Sequence, residues 1–515
     1  MPCDERTSAA GIAQRDTEDT PNRVAVDRSA SPPTVSTRKA LAFSFLDRYA
    51  SLVLSIGSSM VLARLLAPPE IGVFSVTMVL LSFASTFRDL GAGQYLVQER
   101  DLTQDRIRAA WSIQLGIGCL LGALTWLLAD PVARFYGEPR MHDIMLLAAL
   151  GFAINPLGSI TYGWLMRSMR YDALAMMRFF STLTGTAVSL ALASRGWGPI
   201  SLAWGALANT CTNAAIGIAL RPPNYPWRPG TAELKRVLGF GTRLTSSTLV
   251  ETTANAVPEL VLGKVQTMTA VGLYSRANGL VSMFARLISD SVNTVAVALF
   301  AKNAREANDV GAAFVRANAY MTALGWSFAL LTLCMAQPMI RVLYGPQWDG
   351  AVPATRILVL AFAASLPATL CFQALLAVGA TGVLLRAVVC AGALSVTGAG
   401  LGALHSMEAM TVGLAVSAML ATVVWLRHTQ QVLRFRWVTF GHGLRQSALV
   451  ALCAGLSPIL MAALVGLQPE KWHLLWVLLA GAGALAGFVA GAFLTGHPIR
   501  DELRAATRSI AARLR

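Results

Sequence analysis

From Ala40 to Thr495 the chain is an almost unbroken series of apolar runs separated by short polar turns. Each run is about 20 residues long, the length a helix needs to cross a hydrocarbon core about 30 Å thick. Inside hydrocarbon the backbone must satisfy its own N–H and C=O groups, so such runs fold as helices. Of the 515 residues, 55% are hydrophobic and 13% are charged. A soluble domain carries about 25% charge. The expectation is an all-α polytopic membrane protein with about 14 transmembrane helices.

The runs divide the chain. Residues 1–36, rich in Ser, Thr, Pro, Asp and Arg, read as a disordered tail without a signal peptide. A first six-helix lobe (37–220) holds predicted helices 40–64, 71–97, 109–129, 142–166, 173–193 and 198–220. A Trp/Pro-rich basic linker (221–240) follows, stiffened by Pro222, Pro223, Pro226 and Pro229. The second lobe (241–430) holds 241–263, 270–300, 314–343, 353–378, 384–404 and 407–426, with Pro338 a candidate early stop. Two further helices (443–467 and 473–495, within 431–496) precede a basic tail, 497–515.

The two lobes begin alike. Ala63-Arg64-Leu65-Leu66 with Ile71-Gly72-Val73-Phe74-Ser75 returns as Gly263-Lys264-Val265-Gln266 with Val271-Gly272-Leu273-Tyr274-Ser275, at an offset of 272 − 72 = 200. Internal duplication of multi-helix halves is a common transporter plan, with the substrate path between the halves.

The net charge of +15 does not mark a nucleic-acid binder, because of where the charges lie. One set of alternate loops and helix ends, from Arg100 to Arg445, holds 19 Lys and Arg; the other holds eight: Arg64, Arg134, Arg140, Arg195, Lys264, Arg341, Arg356 and Lys471. The positive-inside rule makes the first set, and with it both termini, cytoplasmic. The tail from Arg500 has five arginines and an amphipathic spacing that suits an anionic leaflet or a solvated helix equally. Of the seven cysteines, six lie in apolar runs and none form a CxxC, so neither disulfide nor zinc is expected. Without a GxxxxGK[ST] the chain carries no P-loop, and no cofactor is expected. Small-residue stripes such as Gly116, Gly118 and Gly122 read as close helix packing.

Ionisable residues within spanning helices are costly and face a cavity or a partner. They gather in the first two helices of each lobe: Asp47, Arg48, Arg88 and Asp89, then Glu251, Glu259, Arg276, Arg286 and Asp290. By helical rise, Arg48, Arg88 and Arg286 fall in one layer, and Arg276 nearer the outer face. Arginine forks suit phosphate oxygens, which makes Arg48, Arg88, Arg276 and Arg286 candidates for a diphosphate. The alternative is ion pairing: Asp47 with Arg88, Asp89 with Arg48, and Arg286 with Asp290. Asp47, Asp89, Glu251, Glu259 and Asp290 are candidates for proton or sodium coupling. For Glu251 and Glu259, hydrogen bonding to Ser247, Asn255 or Asn278 is the competing reading.

Several segments carry a family resemblance. They are Leu62-Ala63-Arg64-Leu65-Leu66-Ala67-Pro68, Arg88-Asp89-Leu90-Gly91-Ala92 running into Val97–Thr103, Ala133–Pro139, Gly272–Ala277 and Val342–Trp348. In order and spacing this series resembles the Wzx-like polysaccharide transporter group of the multidrug/oligosaccharidyl-lipid/polysaccharide exporter superfamily. The resemblance implies two six-helix lobes, two extra helices and a central cavity. It implies flipping of an undecaprenyl-diphosphate-linked oligosaccharide across the bacterial inner membrane for surface polysaccharide assembly, without enzymatic chemistry. It implies a lipid-linked oligosaccharide and membrane lipids as partners, with a polymerase and chain-length regulator downstream. Related lipid II flippases place diphosphate-binding arginines on their first, second and eighth helices, which Arg48, Arg88 and Arg276 match by helix. The alternatives are a multidrug exporter of the same superfamily and an O-antigen polymerase or ligase.

Overall fold

The computed structural model describes residues 53–89, 92–99, 102–223, 225–226, 228–306, 309–465 and 474–514. The tail 1–36, Asp47 and Arg48 lie outside them. Among the described residues the chain is all-α. The first half holds α1 (Val53–Leu65), α2 (Pro68–Asp89), α3 (Ala92–Gln98), α4 (Gln104–Tyr136), α5 (Arg140–Ile154), α6 (Pro156–Arg167), α7 (Tyr171–Ala193) and α8 (Ile200–Ala219). After the linker come α9 (Leu234–Val265), α10 (Met268–Arg305), α11 (Val310–Tyr344), α12 (Val352–Ser365), α13 (Cys371–Ala377), α14 (Thr381–Ala403) and α15 (Met407–Leu433). Then follow α16 (Trp437–Val465), α17 (Leu474–Leu494) and α18 (Ile499–Leu514).

Nine described helices are long and apolar enough to cross a membrane, ten if the bent pair α5–α6 counts as one span. The remaining segments of the expected 14 are also helical: α1, α8, α9 and α10. They fall outside that test because the described part of α1 is short and because α9 and α10 carry Thr, Ser, Asn and charged residues.

Proline explains where the predicted segments differ from the observed ones. The helix expected over 142–166 is broken by 52° at Asn155–Pro156, where Pro156 has no N–H to continue the ladder. The one expected over 353–378 is split into α12 and α13 by a 3₁₀ turn, Leu366–Ala368, around Pro367. Pro338 does not stop its helix; α11 runs through it to Tyr344. Some of the small-residue stripes do mark close contacts: a Cβ on Gly118 or Gly122 would meet α5 backbone at 2.8 or 2.9 Å.

The apolar cores are arranged unequally. At the end of the molecule holding the α1–α2 and α9–α10 turns, one buried cluster takes residues from both halves: Leu62, Val73 and Val76 with Leu262, Val271 and Met335. At the opposite end the described residues fall into separate clusters. One joins Leu96, Ile107 and Trp111 to the linker's Tyr225 and to Val237 in the first turn of α9. Another gathers Phe300, Phe314, Phe435 and Phe440. On the positive-inside expectation, the joined end would face outside and the divided end the cytoplasm.

The linker is docked on the first half. Ser112 Oγ on α4 donates to Gly230 O and accepts from Gly230 N, both at 2.8 Å. Arg221 lies over the Trp111 ring at 4.8 Å. Burial pushes the Tyr225 phenol up to about 12.

Candidate functional site: the seam between the repeats

The repeated segments pack against each other. α2 begins with Pro68 in its first turn; α10 begins with Thr267 as N-cap, its hydroxyl accepting from Ala270 N at 3.3 Å. Four residues on, each helix presents its repeat glycine to the other. A Cβ on Gly72 would sit 1.9 Å from Met268 O, and one on Gly272 would sit 1.9 Å from Pro68 O. Met268 and Pro68 are themselves 200 apart in sequence, so the contact is reciprocal, as about a two-fold axis. Only glycine permits two helix backbones to come this close.

One turn deeper the repeat serines meet, Ser75 Oγ to Ser275 Oγ at 2.8 Å. Ser75 Oγ also donates to Glu259 Oε2 at 2.5 Å. Ser75 has a single proton, already given to Glu259, so Ser275 is the donor between the serines. The buried Glu259 on α9 is thereby tied to α2 of the other half. Its partner is not one of the residues expected from its own neighbourhood in sequence.

The axis is broken just where charge enters. The position equivalent to Glu259 is Ser59 (259 − 200), and it accepts from Arg276 Nη1 at 2.8 Å. The Arg276 guanidinium lies 5.5 Å from both the Tyr344 and Trp348 ring centres, and its Nε is buried without a hydrogen-bond partner among the described residues. Trp348 is fully buried and donates from Nε1 to Ala63 O at 2.7 Å. Cation–π contact partly replaces the hydration that Arg276 gives up.

Arg88 is half-buried on α2, its guanidinium 6.0 Å from the Phe152 ring. Position 76 is the α2 counterpart of Arg276, so Arg88 lies roughly 18 Å further along the helix. The two arginines are not brought together. Nearby, Thr86 Oγ1 and Thr252 Oγ1 approach to 3.3 Å across the halves. For Asp89, Glu251, Arg286 and Asp290 the backbone alone is described, in α2, α9 and α10. Among the described residues no group of three or more His, Cys, Asp and Glu side chains is placed to hold a metal ion.

Residues that the candidate list missed make up much of this seam: Ser59, Ser75, Ser275, Tyr344, Gln347 and Trp348. Ser75 and Ser275 stand inside the duplicated segment, so the constant offset was their signal. Tyr344, Gln347 and Trp348 stand in the resemblance segment Val342–Trp348, which did not signal these contacts; Ser59 had no signal, since its role arises from contact between distant segments.

Comparison with known proteins agrees with this architecture. Succinoglycan biosynthesis transport protein ExoT of Rhizobium meliloti (strain 1021) is 24% identical over 376 residues, covering 70% of this chain and 75% of that protein. Lipopolysaccharide biosynthesis protein WzxC of Escherichia coli (strain K12) is 20% identical over 304 residues, covering 58% and 61%. The fold is similar to lipid II flippase MurJ in an inward closed conformation, with a TM-score of 0.71 at 14% identity over 90% of this chain and 100% of that one. It is also similar to an inward-facing MATE family multidrug resistance transporter, with a TM-score of 0.60 at 12% identity over 75% and 94%. Residues 61–353, more than half of the chain and all of the seam residues named above except Ser59, match the family described as "Polysaccharide biosynthesis protein". This multi-pass membrane protein therefore belongs to the polysaccharide biosynthesis protein family, the Wzx-like group that its motifs resemble.

Proposed function

We propose that the chain flips an undecaprenyl-diphosphate-linked oligosaccharide from the cytoplasmic to the outer leaflet of a bacterial inner membrane, by alternating access. The observation that carries this reading is the contrast, among the described residues, between one apolar cluster shared by both halves at one end and separate clusters at the other. Two halves fused at one end only can exchange which end is fused. The printed names of the relatives supply the chemical context: one is a succinoglycan biosynthesis transport protein, another a lipopolysaccharide biosynthesis protein.

In this reading the lobes are 37–220 and 241–430, the linker 221–240 is cytoplasmic, and so are both termini. Residues 431–496 flank the second lobe, and the prenyl chain stays in lipid. Passage of a diphosphate and sugars through bare hydrocarbon is prohibitively costly, so hydrated walls between the lobes supply solvation. Arg48, Arg88 and Arg286 receive the diphosphate at the layer nearer the cytoplasm. Arg276 acts later: when the halves part at the outer end, Ser59 leaves with α1 and the guanidinium is freed for phosphate oxygens. Glu259 is the coupling carboxylate, with the proton as its ion, and Asp47, Asp89, Glu251 and Asp290 are secondary candidates. The chain performs no covalent step. A polymerase and a chain-length regulator consume its product.

The test is leaflet-specific detection of lipid-linked repeat units in spheroplasts of a deletion strain. Units inaccessible from outside without the chain, and accessible when it is supplied, are the expected result. Repeat units that reach the outer leaflet without it, and wait there unpolymerised, would assign it to polymerisation.

A further inference from the structure

We propose that Arg64 and Lys264 form a reciprocal clasp that holds the outer gate shut, and that the gate opens first on the Lys264 side. The inference rests on the alternating-access reading above. The two residues are counterparts in the repeat, 200 apart. Arg64, at the end of α1, donates from Nη2 to Val342 O at 2.8 Å. Lys264, at the end of α9, donates from Nζ to Phe135 O at 2.5 Å. Each cation thus crosses to the opposite half.

The acceptors lie at equivalent helix ends, one residue out of register: counted back from the shared Tyr-Gly, Phe135 matches Leu343 and Val342 matches Arg134. α4 and α11 both end in Tyr-Gly, with Gly137 at φ 69° and Gly345 at φ 104°. Phe135 and Val342 lie in the last turn of these helices, where carbonyls lack an intrahelical donor and carry the negative end of the helix dipole. A cation is a fitting partner there. Both Arg64 and Lys264 are exposed. Water can take over each bond when the halves separate, so the clasp releases at small cost.

The two sides differ in reinforcement. On the Arg64 side, Gln347 Nε2 donates to Ala63 O and Leu66 O, and Trp348 Nε1 donates to Ala63 O. On the Lys264 side, among the described residues, there are the Phe135 ring at 4.1 Å and a long 3.5 Å contact from Tyr136 OH to Leu260 O. The thinner side yields first.

The experiment is labelling by a membrane-impermeant thiol reagent added from outside, in a background with the seven native cysteines replaced. The reporter is Val76→Cys, fully buried and set against Gly263 of the other half. Arg64→Ala with Lys264→Ala should raise the labelling rate roughly tenfold, from two lost hydrogen bonds. Lys264→Ala alone should raise it more than Arg64→Ala alone, and Lys264→Arg should label like the unmodified residue. Unchanged labelling in the double variant overturns the clasp, as does equal labelling of Lys264→Arg and Lys264→Ala. A larger effect from Arg64→Ala overturns the order of opening. A matching rise at Ala129→Cys, buried on α4 toward the same end as Val76, would mean general loosening and also overturns it. The labelling needs no cargo, so its outcome is independent of whether oligosaccharide is flipped.

Discussion

At the end where α1 and α9 turn into α2 and α10, Val73 and Val76 share one apolar cluster with Leu262 and Val271. At the other end, Trp111 and Tyr225 belong to one cluster and Phe314 and Phe440 to another. The difference is not a matter of apolar supply, since both ends bury large side chains. The joined end adds what apolar contact alone lacks: the glycine crossing, the serine pair and the hydrogen bonds onto Ala63 and Leu66. Directional bonds between the halves make closure at that end specific, while at the other end the described links between halves are fewer: Val237 of α9 against the first-half cluster and the Thr86–Thr252 contact.

The most drastic way to break this contrast is to make the joined end permanent. Ser75→Cys with Ser275→Cys puts two thiols where hydroxyls stand 2.8 Å apart. Oxidation should abolish polymer export and reduction should restore it. Full export from quantitatively cross-linked protein would refute alternating access at this seam.

Next in size are changes that weaken the joined end. Trp348→Ala empties a fully buried site and removes the ring beside Arg276, at a cost of about 3–5 kcal/mol. The expected readout is a clear fall in melting temperature in detergent; an unchanged melting curve would contradict the central place given to Trp348. Gly72→Ala should likewise loosen the α2–α10 crossing, because its Cβ would meet a backbone carbonyl rather than a movable side chain.

Arg88→Ala probes the opposite end, away from the joined core. Export should fall at least about tenfold, the loss of one charge-assisted contact, with melting nearly unaffected. Normal export in correctly inserted protein would remove Arg88 from the diphosphate site.

The smallest effect belongs to the loop between α4 and α5. Arg140 holds the Glu138 carboxyl below its usual range by hydrogen bonding and charge, against partial desolvation. A depressed carboxylate stabilises the fold above its unfolded value of about 4.3 and loses that contribution as pH falls through the lower folded value. Since Arg140 is 45% exposed, Arg140→Gln should cost at most about 0.5 kcal/mol near neutral pH and nothing in strong acid. A larger change in the melting profile would show that this loop supports the seam.

The duplication was legible in the sequence because Gly72 and Gly272, with their flanking residues, keep their spacing. The same pattern carries Arg64 and Lys264, although it offers no hint of their acceptors. Glu259 stood out as a carboxylate in an apolar run, and its partner Ser75 did not, because the two meet only when the halves dock. The place of Arg276 about two turns into α10 from the α9–α10 turn could be anticipated from its position in the chain; its Tyr344–Trp348 setting could not. The breaks at Pro156 and Pro367 were readable in principle, yet Pro258 and Pro338 sit inside continuous helices. Neighbouring helices decide which proline ends a helix and which is carried through.

The sequence by itself determined the all-helical membrane architecture and the duplicated plan, because hydrocarbon leaves the backbone no other way to satisfy its polar groups and a repeat preserves spacing. Tertiary structure alone decided which residues of the repeats touch, that Glu259 and Ser59 take different partners at equivalent positions, and that one end is joined while the other is divided. Those outcomes depend on contacts between segments about 200 residues apart, where side-chain complementarity across packed helices, rather than any local pattern, selects the neighbour.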